Sequence, residues 1–171
     1  MSPDDLAAQL EQLHAAAFGW ALSCCGWDRP TAEDVLQASY LKILDGRARF
    51  AERSTFRTWV FGVIRRTAAE ARRRAVFWRW LPLARLLAGP EGADGRPDPE
   101  TALVRADEAV RLVGALARLP TRQREVLHLV FYEDLTIAEA ASVLGVALGT
   151  ARTHYERGKM ALRQMLEEKE R

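Results

Sequence analysis

The chain has 171 residues, 49% of them hydrophobic and 28% charged, with a formal net charge of +2. That apolar content suffices for one ordinary domain or two small helical ones and is unlike a disordered tail. No apolar run approaches the ~20 residues a membrane-spanning helix needs, and Met1-Ser2-Pro3-Asp4-Asp5 is acidic where a secretory signal would be basic, so no stable membrane insertion and a cytoplasmic location are expected.

Helical periodicity runs through the whole sequence and no alternating strand pattern stands out, which predicts an all-α fold. Asp4 or Asp5 can cap a first helix running to about Cys25, with Leu6, Leu10, Leu13, Ala17 and Trp20 or Ala21 as its apolar stripe. Gly26 ends it. Cys24 and Cys25 are adjacent, a spacing poorly suited to a mutual bridge, and His14, His128 and His154 are scattered, so no metal or cofactor is expected and both thiols read as reduced core residues. After a turn, Thr31 with Asp34 three residues on is close to a capping box for a helix through Leu44, whose buried stripe would be Val35, Leu36, Tyr40, Ile43 and Leu44. Asp45-Gly46 breaks that helix. Ser54 or Thr55 can cap a long one from Phe56 to about Trp80, and Pro82 restricts its continuation.

Charge is uneven along this half. Residues 1 to 40 carry one basic and six acidic side chains, and residues 41 to 80 carry eleven basic and three acidic. An acidic surface followed by a basic one favours a polyanionic partner through counterion release, without naming a sequence.

From Ala88 to Pro99, Gly, Pro and Asp replace periodic apolar residues, which reads as a flexible connector. The expected organisation is therefore a helical domain over 4–82, a linker over 83–100 and a second helical domain over 101–168. Glu100 to Arg118 resumes a helix with Leu103, Ala106, Val110, Val113 and Leu116 or Ala117 inward. Pro120 stops it, and Thr121 caps the next, whose Val126, Leu127, Val130 and Phe131 face the core.

The last stretch predicts a helix-turn-helix. Thr136 caps a helix with Ile137, Ala140, Ala141 and Leu144 inward, the small residues allowing a close crossing. Gly145 supplies the positive φ of a sharp turn and Val146 plugs the corner. In the basic helix after Gly149, Ala151, Tyr155, Leu162 and Leu166 form the buried stripe, leaving Thr150, Arg152, Thr153, Glu156, Arg157 and Lys159 outward. That outward set is either a solvated face or the base-reading face of a recognition helix.

Both halves together resemble the sigma-70 family of bacterial transcription initiation factors, and within it the extracytoplasmic-function (ECF) type. The residues that carry this are Thr31-Ala32-Glu33-Asp34-Val35-Leu36-Gln37, Phe50, Ser54 to Phe61 and the triple Arg72-Arg73-Arg74. In the C-terminal half they are Leu119-Pro120-x-Arg122-x-Arg124-Glu125-Val126, Glu139-Ala140-Ala141, Leu144-Gly145-Val146, Gly149-Thr150-Ala151-Arg152 and Arg157. The resemblance implies two small helical domains, a region 2-like bundle and a region 4-like helix-turn-helix, joined by a flexible linker.

It also implies partners: core RNA polymerase (its β′ clamp helices and β subunit), promoter DNA, and an anti-sigma factor or other protein regulator. Asp34 and Gln37, with Glu33, would dock the polymerase. Their i, i+3 spacing puts Asp34 and Gln37 on one side of a helix; Glu33 and Asp34 could instead merely complement the helix N-terminus, which leaves Gln37 unexplained. Trp59, Arg65, Arg66, Arg72, Arg73 and Arg74 would serve minus-ten recognition and melting, since extruded bases need a pocket and a separated strand needs cations. Phe56, Trp59 and Phe61 also fit a buried helix face. Thr150, Arg152, Thr153, Glu156, Arg157 and Lys159 would read the minus-thirty-five element.

Three departures from the family pattern stand out: Arg66 where Asn is common, His154 where Arg is frequent, and Ala140 in place of the usual Ile, the last a packing change expected to lower stability. The apolar Val76 to Leu87 segment either closes the long helix, through Trp78, Trp80 and Leu81, or offers a docking surface to an anti-sigma factor or a membrane surface. No triad, nucleophile elbow, phosphate-cradling glycine loop or metal spacing occurs, so the expected action is binding rather than catalysis. A free-standing helix-turn-helix regulator would leave the Asp34/Gln37 face and the arginine block without a job. A sigma mimic that only sequesters an anti-sigma factor should have lost the outward arginines.

Overall fold

A computed structural model describes residues 3–80 and 103–167. Among them there are eight α-helices and no strand: α1 Pro3–Gln12, α2 His14–Cys24, α3 Arg29–Leu44, α4 Phe56–Trp80, α5 Leu103–Arg118, α6 Thr121–Phe131, α7 Ile137–Leu144 and α8 Leu148–Glu167. The chain divides into two compact units, Met1–Gly95 and Arg96–Arg171. The expected linker over 83–100 lies outside the described residues, as do Leu81 and the side chains of Trp78 and Trp80.

In the first unit the expected single N-terminal helix is two. Leu13 stays in helical space at φ −87, ψ −4 but falls between α1 and α2, while Ala17 still donates to its carbonyl at 2.8 Å. Asp4 and Asp5 do not precede the helix; Pro3 begins it, as suits a residue with no N–H to satisfy in a first turn. Gly26, at φ 67, ends α2, and the amide of Trp27 closes back on the Leu22 carbonyl at 2.9 Å.

Helix α3 starts earlier than the Thr31 cap predicts. Pro30 is tolerated in the first turn, so the extended residue before the helix is Asp28, and the Thr31 hydroxyl donates to the Asp28 carboxylate. Ala32, Val35, Leu36, Ser39 and Ile43 are buried at helical spacing, Tyr40 is half-buried, and Leu44 is exposed, one residue past the buried face. Helix α4 has the cap predicted for it, the Thr58 amide donating to Thr55 Oγ1 at 3.2 Å. Its Val60, Phe61, Ile64 and Ala68 enter the core against α2 and α3.

In the second unit, α6 begins at Thr121 with Pro120 as the residue before it and no side-chain cap, so the predicted Thr121 cap is absent. Leu116 is buried, one of its two predicted alternatives, together with Ala115 and Leu119, while Val113 is exposed where burial was expected; the side chains of Leu103, Ala106 and Val110 lie outside the described residues. Leu129 is buried and Val130 half-buried, and Phe131 is exposed where burial was expected. Helix α7 carries a full capping box: Thr136 Oγ1 accepts from the Glu139 amide at 3.2 Å and Glu139 Oε2 accepts from the Thr136 amide at 2.8 Å. Gly145 takes the left-handed conformation, φ 62, ψ 41.

Helix α8 starts at Leu148, so Gly149 lies inside its first turn. Of its predicted stripe only Ala151 is fully buried; Tyr155, Leu162 and Leu166 are half-buried, although α5, α6 and α7 all pack on this 20-residue helix. Gly158 is the other buried residue of α8, and it faces Leu127 and Gln123 of α6.

Candidate nucleic-acid interface

The second unit displays its outward set as the spacing predicts. Thr150, Arg152, Thr153, Glu156, Arg157 and Lys159 are all exposed over the first three turns of α8. Thr153 bends its hydroxyl back to donate to the Gly149 carbonyl at 2.9 Å, and the Lys159 ammonium sits 5.1 Å from the Tyr155 ring centre. Tyr155 in turn stacks on the exposed ring of Phe131. His154 is half-buried.

Beneath this face lies a charged layer that sequence periodicity did not suggest. Arg124, Glu125 and Glu133 are buried, Glu125 completely. Arg122 Nη1 approaches Glu125 Oε2 at 3.5 Å and His128 Nε2 lies 3.3 Å from Glu133 Oε1. Buried carboxylates need such partners, since an isolated charge loses its hydration without return. The only sequence signal was their density between Arg122 and Glu133, which reads equally as surface.

In the first unit, Glu33, Asp34 and Gln37 are all exposed on α3. Glu33 is held by Arg29, Nε to Oε1 at 2.9 Å. Gln37 lines a groove with His14 and Tyr40, whereas Asp34 lines a different one with Arg74, between α3 and α4. Asp34 and Gln37 thus sit on the crest that separates two furrows, continued along the helix by exposed Leu41 and Leu44.

The arginines of α4 are not gathered into one patch. Arg66, Arg72, Arg73 and Arg74 are exposed and Arg65 is half-buried. Arg72 donates to the Cys24 carbonyl at 3.3 Å, which ties α4 to the end of α2 and gives that side chain a structural task. Arg74 faces the Asp34 groove, and Arg66 lines a separate cleft of about 480 Å³. Lys42, Arg47, Arg49, Trp59 and Glu70 share that cleft. Lys42, Arg47, Arg49 and Glu70 were not singled out by sequence; the basic surplus over 41–80 was the available signal.

Trp59 is half-buried, its ring packed in a cluster with Phe50 and Phe56 at centroid distances of 5.2 and 5.5 Å. It is both part of that aromatic cluster and a wall of the cleft. Phe61, by contrast, is fully buried, and Phe56 is half-buried.

Among the described residues no cluster of His, Cys, Asp or Glu could hold a metal ion, and no helix is long and apolar enough to cross a membrane. Neither cysteine is in a disulfide; burial pushes the Cys25 thiol up to about 11 against the opposing pull of Arg72.

Known proteins share this arrangement. The family described as Sigma-70 region 2 matches residues 10–77, and Sigma-70, region 4 matches residues 109–162. The ECF RNA polymerase sigma factor SigC of Mycobacterium tuberculosis is 31% identical over 139 residues, covering 79% of this chain and 70% of that protein. SigL of the same organism, also an ECF RNA polymerase sigma factor, is 30% identical over 164 residues, covering 91% and 85%. The fold resembles that of the sigma factor RpoE of Bartonella quintana, solved in complex with the anti-sigma factor NepR, with a TM-score of 0.74 at 22% identity over 95% of this chain and 97% of that one.

Proposed function

The chain belongs to the sigma-70 family, among the ECF RNA polymerase sigma factors, and is a transcription initiation factor that directs RNA polymerase to promoters; on that premise we propose how its two units divide the work. The first unit docks core polymerase through Asp34 and Gln37 on the α3 crest. Its cleft beside Trp59 and Arg66 receives the separated strand of the minus-ten element. The second unit reads the minus-thirty-five duplex with Arg152, Thr153, Glu156 and Arg157, while Lys159 and Thr150 hold phosphates. Such a protein acts by binding and works in the cytoplasm with the polymerase. Its regulator is a protein of the anti-sigma kind, the class with which RpoE of B. quintana was solved.

One observation carries this reading: an exposed polar face with three basic side chains, on the helix after a left-handed Gly145 turn, occurs in the same chain as a separate bundle with an exposed Asp34/Gln37 crest. A duplex reader acting alone needs only the first of these. Two readers on one chain raise each other's effective concentration, so neither has to bind tightly by itself. Arg66 and the Lys42–Arg47–Arg49 group provide cations for a single strand, whose binding is largely electrostatic and aided by stacking.

The test is reconstitution with bacterial core polymerase and run-off transcription from a promoter library. Promoter-dependent transcripts with the wild type, and loss of core binding in Asp34→Arg, support the proposal. No core binding by the wild type, or normal transcription by Asp34→Arg, refutes it.

A further inference from the structure

The cleft between the 45–55 loop and α4 contains one group that a simple phosphate channel would not have. Lys42, Arg47, Arg49 and Arg66 suit a polyanion, but Glu70 stands among them as a carboxylate. Its side chain is 45% exposed, so it is not there to fill a core. A carboxylate beside a nucleic-acid strand repels phosphates and weakens the counterion-release term. It is compatible with the strand only where it meets a base edge.

The hydrogen bonds around it restrict what that edge is. Lys42 Nζ donates to Thr67 Oγ1 at 3.2 Å and to Glu70 Oε2 at 2.5 Å, which ties α3 to α4 and commits two of the three ammonium donors. Glu70, which stands on the wall shared with the Asp34 groove, keeps Oε1 as a second acceptor, and an ionised carboxylate oxygen only accepts. An exocyclic amino group is the complementary partner, as when a carboxylate accepts from cytosine N4. Thymine offers a single N–H, at N3, flanked by two keto oxygens whose lone pairs would face the carboxylate, which makes it the poorer partner.

Trp59 and Glu70 are eleven residues apart on α4, roughly 16 Å along the axis at ~1.5 Å per residue. That is longer than one base, so the two ends of the cleft meet different nucleotides, with Arg66 between them. The volume, about 480 Å³, is in the ordinary range of ~300–1,000 Å³ for small-ligand sites.

We propose that Glu70, positioned by Lys42, reads one base of the separated strand at the end of the cleft away from Trp59, favouring a base with an exocyclic amino group over thymine. This rests on the reading of the first unit as the one that receives the melted minus-ten strand. The base at the Trp59 end is a separate contact and is unaffected by Glu70.

The experiment uses holoenzyme reconstituted from the full chain and core polymerase, with run-off selection from a library randomised across the minus-ten element, for wild type, Glu70→Ala and Glu70→Gln. The wild type is expected to enrich amino-bearing bases over thymine about fivefold or more at one position, the lower bound of a good base-edge contact. Glu70→Ala should flatten that position alone. Glu70→Gln, whose amide can also donate, should admit thymine there. A thermal melt of each variant by circular dichroism separates folding from reading. Unchanged preference at every position in both variants overturns the proposal, as does a uniform fall in transcription with preferences intact, which would make Glu70 only a tie for Lys42. A wild-type selection with no sequence enrichment at all would instead overturn the promoter reading of this unit, and this inference with it.

Discussion

The indole Nε1 of Trp20 donates to the backbone carbonyl of Phe61 at 3.0 Å, across 41 residues, with both side chains fully buried. It joins α2 to the second turn of α4, the helix that carries Trp59 and Arg66 past the cleft. Replacing Trp20 by Phe removes the donor and part of the ring volume in a fully buried site. The expected cost is about 2–4 kcal/mol, from the unmade hydrogen bond and the residual cavity together. Urea unfolding followed by circular dichroism should show a lower midpoint.

A Cβ at Gly158 would lie 3.1 Å from Leu127 Cδ1 and 3.2 Å from Gln123 Cβ. Alanine gains ~1 kcal/mol over glycine in helix propensity, but Leu127 is only 2% exposed and has no room to retreat. Overpacking of this kind costs ~1–3 kcal/mol, so Gly158→Ala should destabilise on balance by about 1 kcal/mol. A glycine-to-alanine change that raised the melting temperature of the full chain would contradict this crossing of α6 and α8.

Arg152 and Lys159 are both exposed on α8, yet different defects are expected from losing them. Arg152→Ala should reduce discrimination at one or two base pairs by about 1–3 kcal/mol, the value of a bidentate base contact. Lys159→Ala should weaken all promoters alike and lower the salt dependence by about one phosphate contact. Holoenzyme binding to a duplex library at two salt concentrations distinguishes them.

Burial raises the Cys25 thiol from 9.0 to about 11. At pH 8 its thiolate is therefore about a hundredfold scarcer than that of an ordinary cysteine, and alkylation by iodoacetamide should be slowed by about that factor. Because the folded value is the higher one, the associated stability is complete below pH 9 and is lost as the pH rises through about 11. Its size is moderated by the residue's partial exposure. Fast alkylation of the native protein at pH 8 would show that Cys25 is not shielded as described.

Local signals were legible wherever the backbone itself dictated the outcome. Thr136 as a cap, Gly145 at the turn and a hydroxyl cap at Ser54 or Thr55 before α4 were read correctly because a cap or a positive φ depends on a few adjacent residues. Caps failed at Thr31 and Thr121, where a nearby proline moved the helix start ahead of the hydroxyl. Burial was less secure: Leu44, Val113 and Phe131 are apolar but exposed, whereas Arg124 and Glu125 are charged but buried. A helical stripe gives a direction and not the length or position of the neighbour that covers it.

The sequence alone determined the all-α character, the helix-turn-helix with its exposed Arg152 to Arg157 face, the placing of Asp34 and Gln37 on one side of a helix, and the family resemblance. All of these follow from spacing along a single helix or from motifs in order. Only the tertiary structure decided that Arg72 reaches the end of α2, that Arg66 and Arg74 face different grooves, and that Lys42 and Glu70 meet across α3 and α4. The two hydrogen-bonded ties join residues 48 and 28 positions apart, and which side chains meet there depends on how the helices cross, a quantity that periodicity within each helix does not contain.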